Sequence, residues 1–361
     1  MAKAEQDVGF VPWSFAQPWG GISRIVDIDG PVHYVEFDSA AGGTPIVLVH
    51  GLGGSHLNWV GVAPALAKRS RVHALDLAGF GLTQSGDRRT TVQANARLLD
   101  RFIREVAGSP VVLIGNSMGG MISLLEADSH PDSVAGLVLV DPSLPVERQL
   151  PDVQVAAQFL LYAVPFFGER YLALGKQRMT DRQLVERVVN LCYADPSRAS
   201  GDILDAATAL AKQRRAMPAQ EAAFLQAARS LIRILTRPQR YQSLMRAVEV
   251  PVLLIHGDRD RLVPVTAARK AAADNPTWDS VILPDIGHTP QLEAPDLVIQ
   301  HVTAWLDRHQ LAMPTSTPAR RSPGAPDSEE SRRQHGEPPD SGATWLPDDR
   351  LPDDHFPKPA W

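Results

Sequence analysis

The chain has 361 residues, of which 44% are hydrophobic and 21% charged, and its formal net charge is −5. This is the composition of an ordinary globular protein with enough apolar residues for a large core. The acidic balance argues against a dedicated nucleic-acid binder, because neutralising phosphates needs an excess of Lys and Arg. The single cysteine, Cys192, excludes an internal disulfide framework and a thiolate metal cage.

We predict that the first segment, residues 1–21, is a strap packed against the folded domain through Trp13, Phe15 and Trp19. No continuous apolar stretch follows Lys3, so the segment does not have the pattern of a signal peptide. No apolar run in the sequence approaches the ~18 residues needed to span a bilayer. We therefore expect no transmembrane segment and a cytoplasmic location.

Short apolar segments then alternate with longer helical patterns. Asp29-Gly30 separates two of them and predicts a hairpin turn at an antiparallel edge. The later segments are rich in Val, Leu and Ile, which is typical of strands buried on both faces of a parallel sheet. The alternation predicts an α/β fold with a mostly parallel central sheet. The strand candidates are residues 22–28, 32–37, 45–50, 72–76, 111–114, 137–140, 252–255 and 281–283, and the helix candidates are 59–69, 91–106, 118–129, 265–273 and 296–308.

One stretch, residues 143–247, interrupts this alternation because its pattern is helical throughout. Lys and Arg outnumber Asp and Glu there, although the whole chain is acidic. Such an insertion between two strands predicts a helical cap over one edge of the sheet. The cap would divide the core into a first part, residues 22–142, and a second part, residues 248–312.

Two features of the predicted cap have more than one interpretation. Arg229, Arg233 and Arg237 follow one another at helical spacing beside an apolar stripe. Such a cationic helix can face an anionic substrate or an anionic membrane surface, although a solvated face over a buried one is more common. Residues 159–167 are the most apolar part of the cap and contain Pro165. They predict a short helix and a turn that line a substrate cleft or form the cap's own core.

The composition changes again near Met313. Ten of the chain's 30 prolines lie beyond this residue, and hydrophobic periodicity disappears. A segment of this kind cannot bury enough apolar surface to offset its ordering entropy. We predict that residues 313–361 form a disordered, Pro-rich acidic tail.

The strongest local signal is the segment Gly115-Asn-Ser117-Met-Gly119, which follows a strand candidate and precedes a helical pattern. This strand–turn–helix context is the one that a G-x-S-x-G nucleophile motif requires. Small flanking residues permit a sharp, strained turn that raises the Ser117 hydroxyl above the carboxyl edge of the sheet. The context disfavours the alternative, a glycine-rich turn with an incidental serine. We therefore predict that Ser117 is a nucleophile.

A serine nucleophile needs a base that an acid holds in position. His288 follows the last strand candidate, in a loop with few apolar neighbours that would suggest core packing. The loop after the preceding strand candidate carries Asp258 and Asp260. Asp141, directly after the strand at 137–140, is an alternative acid, although a strand-end turn before Pro142 explains it too. With Asp260, the chain order is Ser, Asp, His, the order of one particular fold.

A glycine-rich loop, His50-Gly-Leu-Gly-Gly54, follows the first central strand candidate. Glycines let the backbone approach a substrate closely, and free N–H groups there can face a developing oxyanion. Such a loop can instead cradle phosphate, but this one lacks the Lys-Ser/Thr ending of a P-loop. We expect His50 to orient the loop, because the neighbours that a metal ligand would need are missing.

Together, these motifs resemble the α/β-hydrolase superfamily over roughly residues 22–310. The segment at 50–51 matches its oxyanion motif, and residues 76–81 match its Asp-x-x-Gly-x-Gly loop. The serine segment matches its nucleophile elbow, residues 257–264 match its acid loop, and residues 287–295 match its histidine loop.

The resemblance implies the α/β-hydrolase fold and a catalytic triad. Ser117 would be the nucleophile, His288 the base, and Asp260 the acid, because the acid is usually the second acidic residue of the Gly-x-x-Asp motif. Leu52 and Met118 would donate the oxyanion-hole N–H groups. A serine at the elbow argues against epoxide hydrolases and haloalkane dehalogenases, which use Asp there.

The resemblance leaves the reaction open between three functions. The Asn-Ser-Met-Gly-Gly elbow is similar to that of meta-cleavage-product hydrolases, which cut carbon–carbon bonds. Those enzymes carry a Gly-Pro-Gly-type oxyanion loop, whereas Leu52-Gly-Gly54 is similar to that of esterases and lipases. We therefore expect hydrolysis of a small, apolar carboxylic ester, without cofactor, metal ion or nucleic acid. The alternatives are carbon–carbon bond hydrolysis, with cap arginines holding the substrate carboxylate, and a ligand-binding receptor on a hydrolase scaffold.

Overall fold

The computed structural model describes residues 15–39, 42–146, 157 and 161–311. The predicted tail at 313–361 and residues 1–14 of the predicted strap lie outside the described residues. Within the remaining part of the strap, Phe15 and Trp19 pack against one face of the hydrophobic core. The hydrophobic contact that we predict for Trp13 stays a prediction.

The centre of the described structure is an eight-stranded sheet with the order β1-β2-β4-β3-β5-β6-β7-β8. Strands β1 and β2 form an antiparallel hairpin, and β2 pairs antiparallel with β4. From β4 to β8 all neighbours are parallel. This is the mostly parallel α/β sheet that the sequence predicts. Its strands are β1 (Ile22–Asp27), β2 (Pro31–Phe37), β3 (Ile46–Val49), β4 (Val72–Leu75), β5 (Val111–Asn116), β6 (Val134–Val140), β7 (Val252–Gly257) and β8 (Asp279–Leu283).

Helices connect the parallel strands; between β6 and β7 the described residues include a short helical stretch at 161–163 and, after it, five longer helices. Within the described ranges, none has both the length and the apolar composition needed to cross a membrane. The helices are α1 (Ala63–Leu66), α2 (Val92–Phe102), α3 (Met118–Ser129), α4 (Phe167–Arg178), α5 (Asp181–Cys192), α6 (Gly201–Arg215), α7 (Gln220–Leu235), α8 (Pro238–Ala247), α9 (Val265–Asp274), α10 (Pro290–Glu293) and α11 (Pro295–Arg308).

The helix predicted over residues 59–69 is shorter than expected. The structure has a 3₁₀ turn at His56–Trp59 and a separate short helix α1. Pro64 lies in the first turn of α1, the only part of a helix that tolerates a residue without an N–H group. A helix that began at residue 59 would place Pro64 in its interior, so the two segments remain separate.

The central strands are buried on both faces, as their uninterrupted apolar sequences predict. Alternate residues of β3, such as Val47 and Leu48, belong to two different hydrophobic clusters on opposite sides of the sheet. The carboxyl ends of the parallel strands lie at one edge, and five loops meet there. These loops begin after β3, β5, β6, β7 and β8 and carry Gly51, Ser117, Asp141, Asp260 and His288.

Candidate active site

Ser117 occupies a strained turn between β5 and α3. Its φ is 54° and its ψ is −117°, a combination that residues with a side chain rarely adopt. Backbone strain of this kind costs about 1–3 kcal/mol and persists only where the surrounding structure holds it. The turn raises the serine side chain at the sheet edge, next to the first N–H groups of α3.

Close packing around the turn requires its glycines. A Cβ atom on Gly119 would lie 2.0 Å from the carbonyl oxygen of Val49, and one on Gly115 would lie 2.5 Å from the carbonyl oxygen of Gly119. These contacts are with backbone, which cannot rotate away as a flexible side chain can. The glycine spacing that marks this motif in the sequence therefore has a local steric cause.

We predict that Gly119→Ala lowers the free energy of unfolding by at least about 3 kcal/mol, because the added methyl group overpacks β3. Gly175→Ala is the matched control, since a Cβ there has no neighbour within 4 Å and Ala suits a helix better than Gly. Urea unfolding measures both effects. Equal stability of the two variants would contradict the steric role of Gly119.

The hydroxyl of Ser117 forms a hydrogen bond with the hydroxyl of Ser143, at 3.4 Å between the oxygens. The backbone around it is tied to the neighbouring strand, because the Ser117 N–H donates to the Val140 carbonyl at 3.1 Å. The side-chain amide of Asn116 donates to Val140 and to the carbonyl of His288, at 3.0 and 3.1 Å. Asn116 thus connects the serine turn directly to the histidine loop.

The structure brings His288 and Asp260 together in a buried contact. The distance between His288 Nδ1 and Asp260 Oδ2 is 2.7 Å, and both side chains are almost inaccessible to solvent. The second oxygen of Asp260 accepts hydrogen bonds from the N–H groups of Leu262 and Val263, at 2.7 and 3.0 Å. The carboxylate is therefore held by three donors from two loops.

These hydrogen bonds determine where the protons lie on Asp260 and His288. Burial alone would raise the pKa of Asp260, but the charge and the hydrogen bond of His288 lower that pKa below its usual value. An ionised carboxylate can only accept hydrogen bonds, so His288 Nδ1 carries a proton. In the neutral imidazole the lone pair is then on Nε2, which is the tautomer that a general base requires.

Asp141, the alternative acid, lies behind this pair. It is fully buried, and its Oδ1 accepts a hydrogen bond from the N–H of Gly257 at 3.0 Å. Burial and the negative charge of Asp260 raise its pKa well above the usual value. The ring of His256 lies between the two acids, with Nδ1 3.5 Å from Asp141 and Nε2 donating to the Val263 carbonyl at 3.0 Å. These surroundings favour the neutral form of Asp141 and the ionised form of Asp260.

The histidine loop is attached to the helices between β6 and β7. The N–H of His288 donates to the carbonyl of Cys192, the last residue of α5, at 2.6 Å. The buried carboxylate of Glu293 accepts from the N–H groups of Gly287, Ala194 and Asp195, at 2.8, 3.1 and 2.9 Å. Glu293 therefore connects the loop that carries His288 with the chain that follows α5.

The glycine-rich loop after β3 lies directly beside the serine. A Cβ on Gly51 would approach the Cβ of Ser117 to 3.0 Å. His50 holds the loop, because its Nδ1 donates to the Gly51 carbonyl at 2.8 Å and its Nε2 accepts from the N–H of Leu77 at 3.1 Å. Burial lowers the pKa of His50 to about 4, so the ring stays neutral in this double role.

The two predicted oxyanion donors belong to the glycine-rich loop and to the start of α3. Leu52 is in the glycine-rich loop and lines the same cavity as the serine. Met118 is the first residue of α3, so its N–H has no carbonyl acceptor within the helix. The two residues thus belong to the two elements that meet at the serine, and their role as oxyanion donors stays a prediction.

Asp76 accepts hydrogen bonds from several chain segments behind the glycine-rich loop. Its carboxylate accepts hydrogen bonds from His33 Nδ1, from the N–H and Nδ1 of His56, and from the N–H of Leu82, at 2.7 to 2.9 Å. These donors keep its pKa well below the usual value despite complete burial. His33, His56 and Asp76 have the spacing of a metal site. Their Nδ1 atoms donate protons to the carboxylate, however, so they do not direct lone pairs at a common point.

A cavity of about 1110 Å³ lies above this edge of the sheet, and Ser117 and His288 both line it. It exceeds the range of ~300–1000 Å³ that is usual for small-molecule sites. Most of its wall is apolar and comes from the helices between β6 and β7. Representative lining residues are Leu52, Leu172, Val185, Leu204, Leu210 and Leu231.

One charged side chain in the cavity wall, Arg214 on α6, was not identified from the sequence. Its guanidinium donates to the Gln220 side chain and to the Gly79 carbonyl, at 3.2 Å each, and lies over the Phe80 ring. Burial lowers the pKa of Arg214. Its hydrogen-bond partners among the described residues are neutral. A charged, partly desolvated group beside the cavity is suited to an anionic ligand.

The three arginines for which an anionic substrate was one interpretation have other surroundings. Arg229 donates to the carbonyls of Tyr162 and Val164 and pairs with Glu169 at 3.0 Å. Arg233 and Arg237 are exposed to solvent. Arg237 lies beyond the end of this helix, α7, and directly precedes α8, so the predicted helical spacing holds only for Arg229 and Arg233. The apolar side of α7 is buried through residues such as Leu225 and Leu231. The common interpretation, a solvated face over a buried one, describes α7 correctly.

The prediction for residues 159–167 is wrong at its end. Tyr162 is buried and lines the cavity, as expected. Phe166 and Phe167 are instead 70% and 58% exposed, so they line neither a cleft nor a core. Apolar composition predicted burial there, but it carried no information about the direction in which the turn at Phe166 points its ring.

The sequence profile of the family described as alpha/beta hydrolase fold matches residues 44–295. The chain therefore belongs to the α/β-hydrolase family, and it is an α/β-fold hydrolase. The match includes the serine turn, the acid loop and the histidine loop. It agrees with the sheet order and with the strand ends at which these loops lie.

Three curated relatives illustrate the range of proteins that the chain is similar to. It is 31% identical over 274 residues to the dihydrolipoyllysine-residue acetyltransferase component of the acetoin cleaving system of Pseudomonas putida. That alignment covers 74% of this chain, which spans 65% of the length of that relative.

The other two relatives are hydrolases. The chain is 29% identical to the 2-hydroxy-6-oxo-6-(2'-aminophenyl)hexa-2,4-dienoic acid hydrolase of Metapseudomonas resinovorans, with 80% of this chain and 91% of that protein covered. It is also 29% identical to the pimeloyl-[acyl-carrier protein] methyl ester esterase of Edwardsiella ictaluri (strain 93-146), with 71% and 90% covered.

Proposed function

We propose that the protein hydrolyses carboxylic esters through an acyl-enzyme, with Ser117 as the nucleophile, His288 as the base and Asp260 as the acid. The observation that carries this proposal is the buried contact of 2.7 Å between Asp260 and His288 Nδ1, beside a cavity that both His288 and Ser117 line. This contact orients the imidazole so that the Nε2 lone pair is free, in the same cavity as a serine on a strained turn.

The reaction would proceed in two stages. Ser117 attacks the ester carbonyl while His288 Nε2 takes the hydroxyl proton and then returns it to the leaving alcohol. The N–H groups of Leu52 and Met118 stabilise the negative oxygen, and loss of one such donor typically lowers turnover ~10²–10³-fold. Water then releases the acyl group by the same steps. Before attack, the Ser117 hydroxyl must exchange its bond to Ser143 for one to His288.

Two observations favour an ester as the substrate. The oxyanion loop has the sequence Leu52-Gly-Gly54, which is similar to that of esterases and lipases. A relative with 29% identity over most of both chains is a methyl ester esterase by name. The apolar wall of the large cavity suits an acyl chain or a ring more than a polar group.

Turnover of a panel of p-nitrophenyl esters of increasing acyl length, beside a meta-cleavage dienol acid, tests this proposal. We expect hydrolysis of the esters and little turnover of the dienol acid. Labelling with a fluorophosphonate probe separates an enzyme from a receptor, because a receptor without a working nucleophile stays unlabelled. Exclusive turnover of the dienol acid would contradict the ester proposal.

A second candidate, carbon–carbon bond hydrolysis of an acidic dienol, is favoured by Arg214. A guanidinium that lines the cavity and whose described hydrogen bonds go to neutral groups suits a substrate carboxylate. The Metapseudomonas relative is named for a dienoic acid. This candidate uses the same three residues, so the choice between the two depends on the substrate and not on the triad.

We predict that Arg214→Gln raises KM about 10–100-fold for a half-ester of a dicarboxylic acid, because the variant loses a charged partner for the free carboxylate. KM for the matching diester should change less than about threefold, and kcat should change little for either substrate. Lys212→Gln, which removes an exposed charge from the same helix, is the control. Equal effects of Arg214→Gln on half-ester and diester would contradict a carboxylate site.

A further inference from the structure

The exposed apolar side chains are concentrated in one part of the molecule. Among the described residues, seven large apolar side chains are exposed, and five of them lie between residues 164 and 188. Single exposed apolar residues are ordinary, whereas a contiguous patch indicates an interaction site. The five are Val164, Phe166, Phe167, Leu174 and Val188.

Two of these residues, Phe167 and Leu174, lie on one face of α4, and Phe166 directly precedes that helix. Phe167, Tyr171, Leu174 and Arg178 follow one another at the spacing that puts residues on the same side of a helix. We call this side the α4 face. The rings of Phe166 and Phe167 are 6.1 Å apart at its beginning. Arg187 packs over the Tyr171 ring and hydrogen-bonds its hydroxyl, which brings the neighbouring residue Val188 of α5 close to the face.

The backbone at Phe166 keeps its ring in solvent. Phe166 has a φ of 70°, in the left-handed region that bulky residues rarely adopt. Its side chain is 70% exposed, so the strained turn leaves most of a large apolar ring in solvent, with the exposed ring of Phe167 beside it. Strain that folding alone does not repay is typical of functional positions.

The α4 face is continuous with the mouth of the cavity. Tyr171, Leu174 and Arg178 line the cavity that reaches Ser117, and so does Val188. Leu174 and Val188 are also 36% and 58% exposed. Residues that line a cavity and contact solvent at the same time mark its entrance. The apolar patch therefore leads into the site.

The charges around the α4 face are mainly positive. The helix carries Arg170 and Arg178 against one acid, Glu169. Glu169 pairs with Arg229 at 3.0 Å, while Arg170 and Arg178 are exposed. An apolar face rimmed by cations is the combination that binds peripherally at an anionic lipid surface.

We propose that the α4 face docks the protein on a membrane that contains anionic lipids, with the mouth of the cavity turned toward the lipid. Phe166 and Phe167 enter the boundary between headgroups and acyl chains, and Arg170 and Arg178 contact the lipid phosphates. The proposal does not depend on the chemistry at Ser117, since binding is measured without turnover.

Co-sedimentation with vesicles tests the docking surface. The full chain should partition onto vesicles of about 70% phosphatidylcholine and about 30% phosphatidylglycerol, and at least about tenfold less onto pure phosphatidylcholine. Phe166→Ser combined with Phe167→Ser should lower partitioning onto the anionic vesicles at least about tenfold. Arg170→Gln combined with Arg178→Gln should lower it severalfold, and that difference should disappear in ~0.5 M NaCl.

Two variants are matched controls. Arg233→Gln combined with Arg237→Gln removes the same charge from exposed positions on α7 and just beyond its end, and should leave partitioning within about twofold. Leu297→Ser removes an exposed apolar residue far along the chain, on α11, and should have no effect. Equal losses in these controls would show unspecific binding and contradict the proposal. Failure of the unmodified chain to sediment with anionic vesicles would also overturn it.

A second measurement remains valid if the double Phe variant fails to fold. An environment-sensitive fluorophore on Phe167→Cys should shift to the blue on anionic vesicles, whereas the same label on Leu297→Cys should not. Burial raises the pKa of the native Cys192 thiol to about 12, so it competes poorly for the label. A blue shift that depends on protein concentration and occurs without vesicles would identify a self-association face and contradict membrane docking.

Discussion

Ser117→Ala is expected to reduce ester turnover by at least about 10⁴-fold, and loss of the serine lowers kcat about 10⁶-fold in a comparable serine enzyme. The hydroxyl is the only group lost, and the strained backbone at this position is held by Gly115, Gly119 and the bond to Val140. The fold should therefore survive. Rates with one activated ester, together with melting curves, measure the effect.

Ser143→Ala is the matched control for this prediction. Its hydroxyl lies 3.4 Å from that of Ser117, so it shares the same surroundings and the same hydrogen bond. We expect it to change turnover less than about tenfold, because Ser143 would only hold the nucleophile before attack. More than a few per cent of activity in a contamination-free Ser117→Ala preparation would show that the nucleophile assignment is wrong.

The sheet could be predicted because its strands have a simple physical signature. The segment at 111–114 is uninterrupted Val, Leu and Ile, and it forms most of β5, which is buried along its whole length. The prediction at 59–69 was wrong where a local rule competed with helical periodicity, since Pro64 lies in the first turn of a separate helix there. Periodicity thus located elements better than it located their ends.

The motif residues could be predicted because each motif has a local cause. Gly119 is required by the approach of β3, and His50 holds a loop next to it in the sequence. The chain order of the strands is sufficient to bring such loops to one edge of the sheet. No distant contact had to be known to locate them.

The contacts between the loops could not be predicted in this way. Asn116 reaches the carbonyl of His288, which is 172 residues away in the chain, and Arg214 reaches Gly79 across 135 residues. Nothing in the residues around Arg214 distinguishes it from its neighbour Arg215, which pairs with Asp181. Only the folded chain shows that the hydrogen bonds of Arg214 go to neutral groups, with the charges of Asp76 and Glu221 acting on it from nearby.

The second large effect that we predict is the loss of turnover when the catalytic acid is replaced. Asp260→Asn should lower turnover about 10⁴-fold, because an amide in place of the ionised carboxylate favours the wrong tautomer of His288. The pKa of Asp260 lies below its usual value, so the wild-type residue is charged at neutral pH. The variant keeps the shape of the side chain and removes that charge.

Asp141→Asn and Asp258→Asn are the two matched variants. The pKa of Asp141 is raised by burial and by the charge of Asp260, which favours the neutral acid, and an amide of the same shape resembles that form closely. Its Oδ1 can still accept from the N–H of Gly257. Asp258 accepts one hydrogen bond, from the N–H of Asp285 at 2.7 Å, and does not contact His288. We expect each of these two variants to lose less than about tenfold in turnover.

One activated ester and melting curves for the three variants are sufficient to decide between the acids. The three substitutions are chemically identical and occur at the same sheet edge, so differences in turnover reflect the position of the charge. The buried contact between Asp260 and His288 predicts that only Asp260→Asn is inactive while folded. If Asp141→Asn is the inactive variant and Asp260→Asn remains active, the catalytic acid is Asp141. The imidazole of His288 must then be oriented from the loop after β6 and not from the loop after β7.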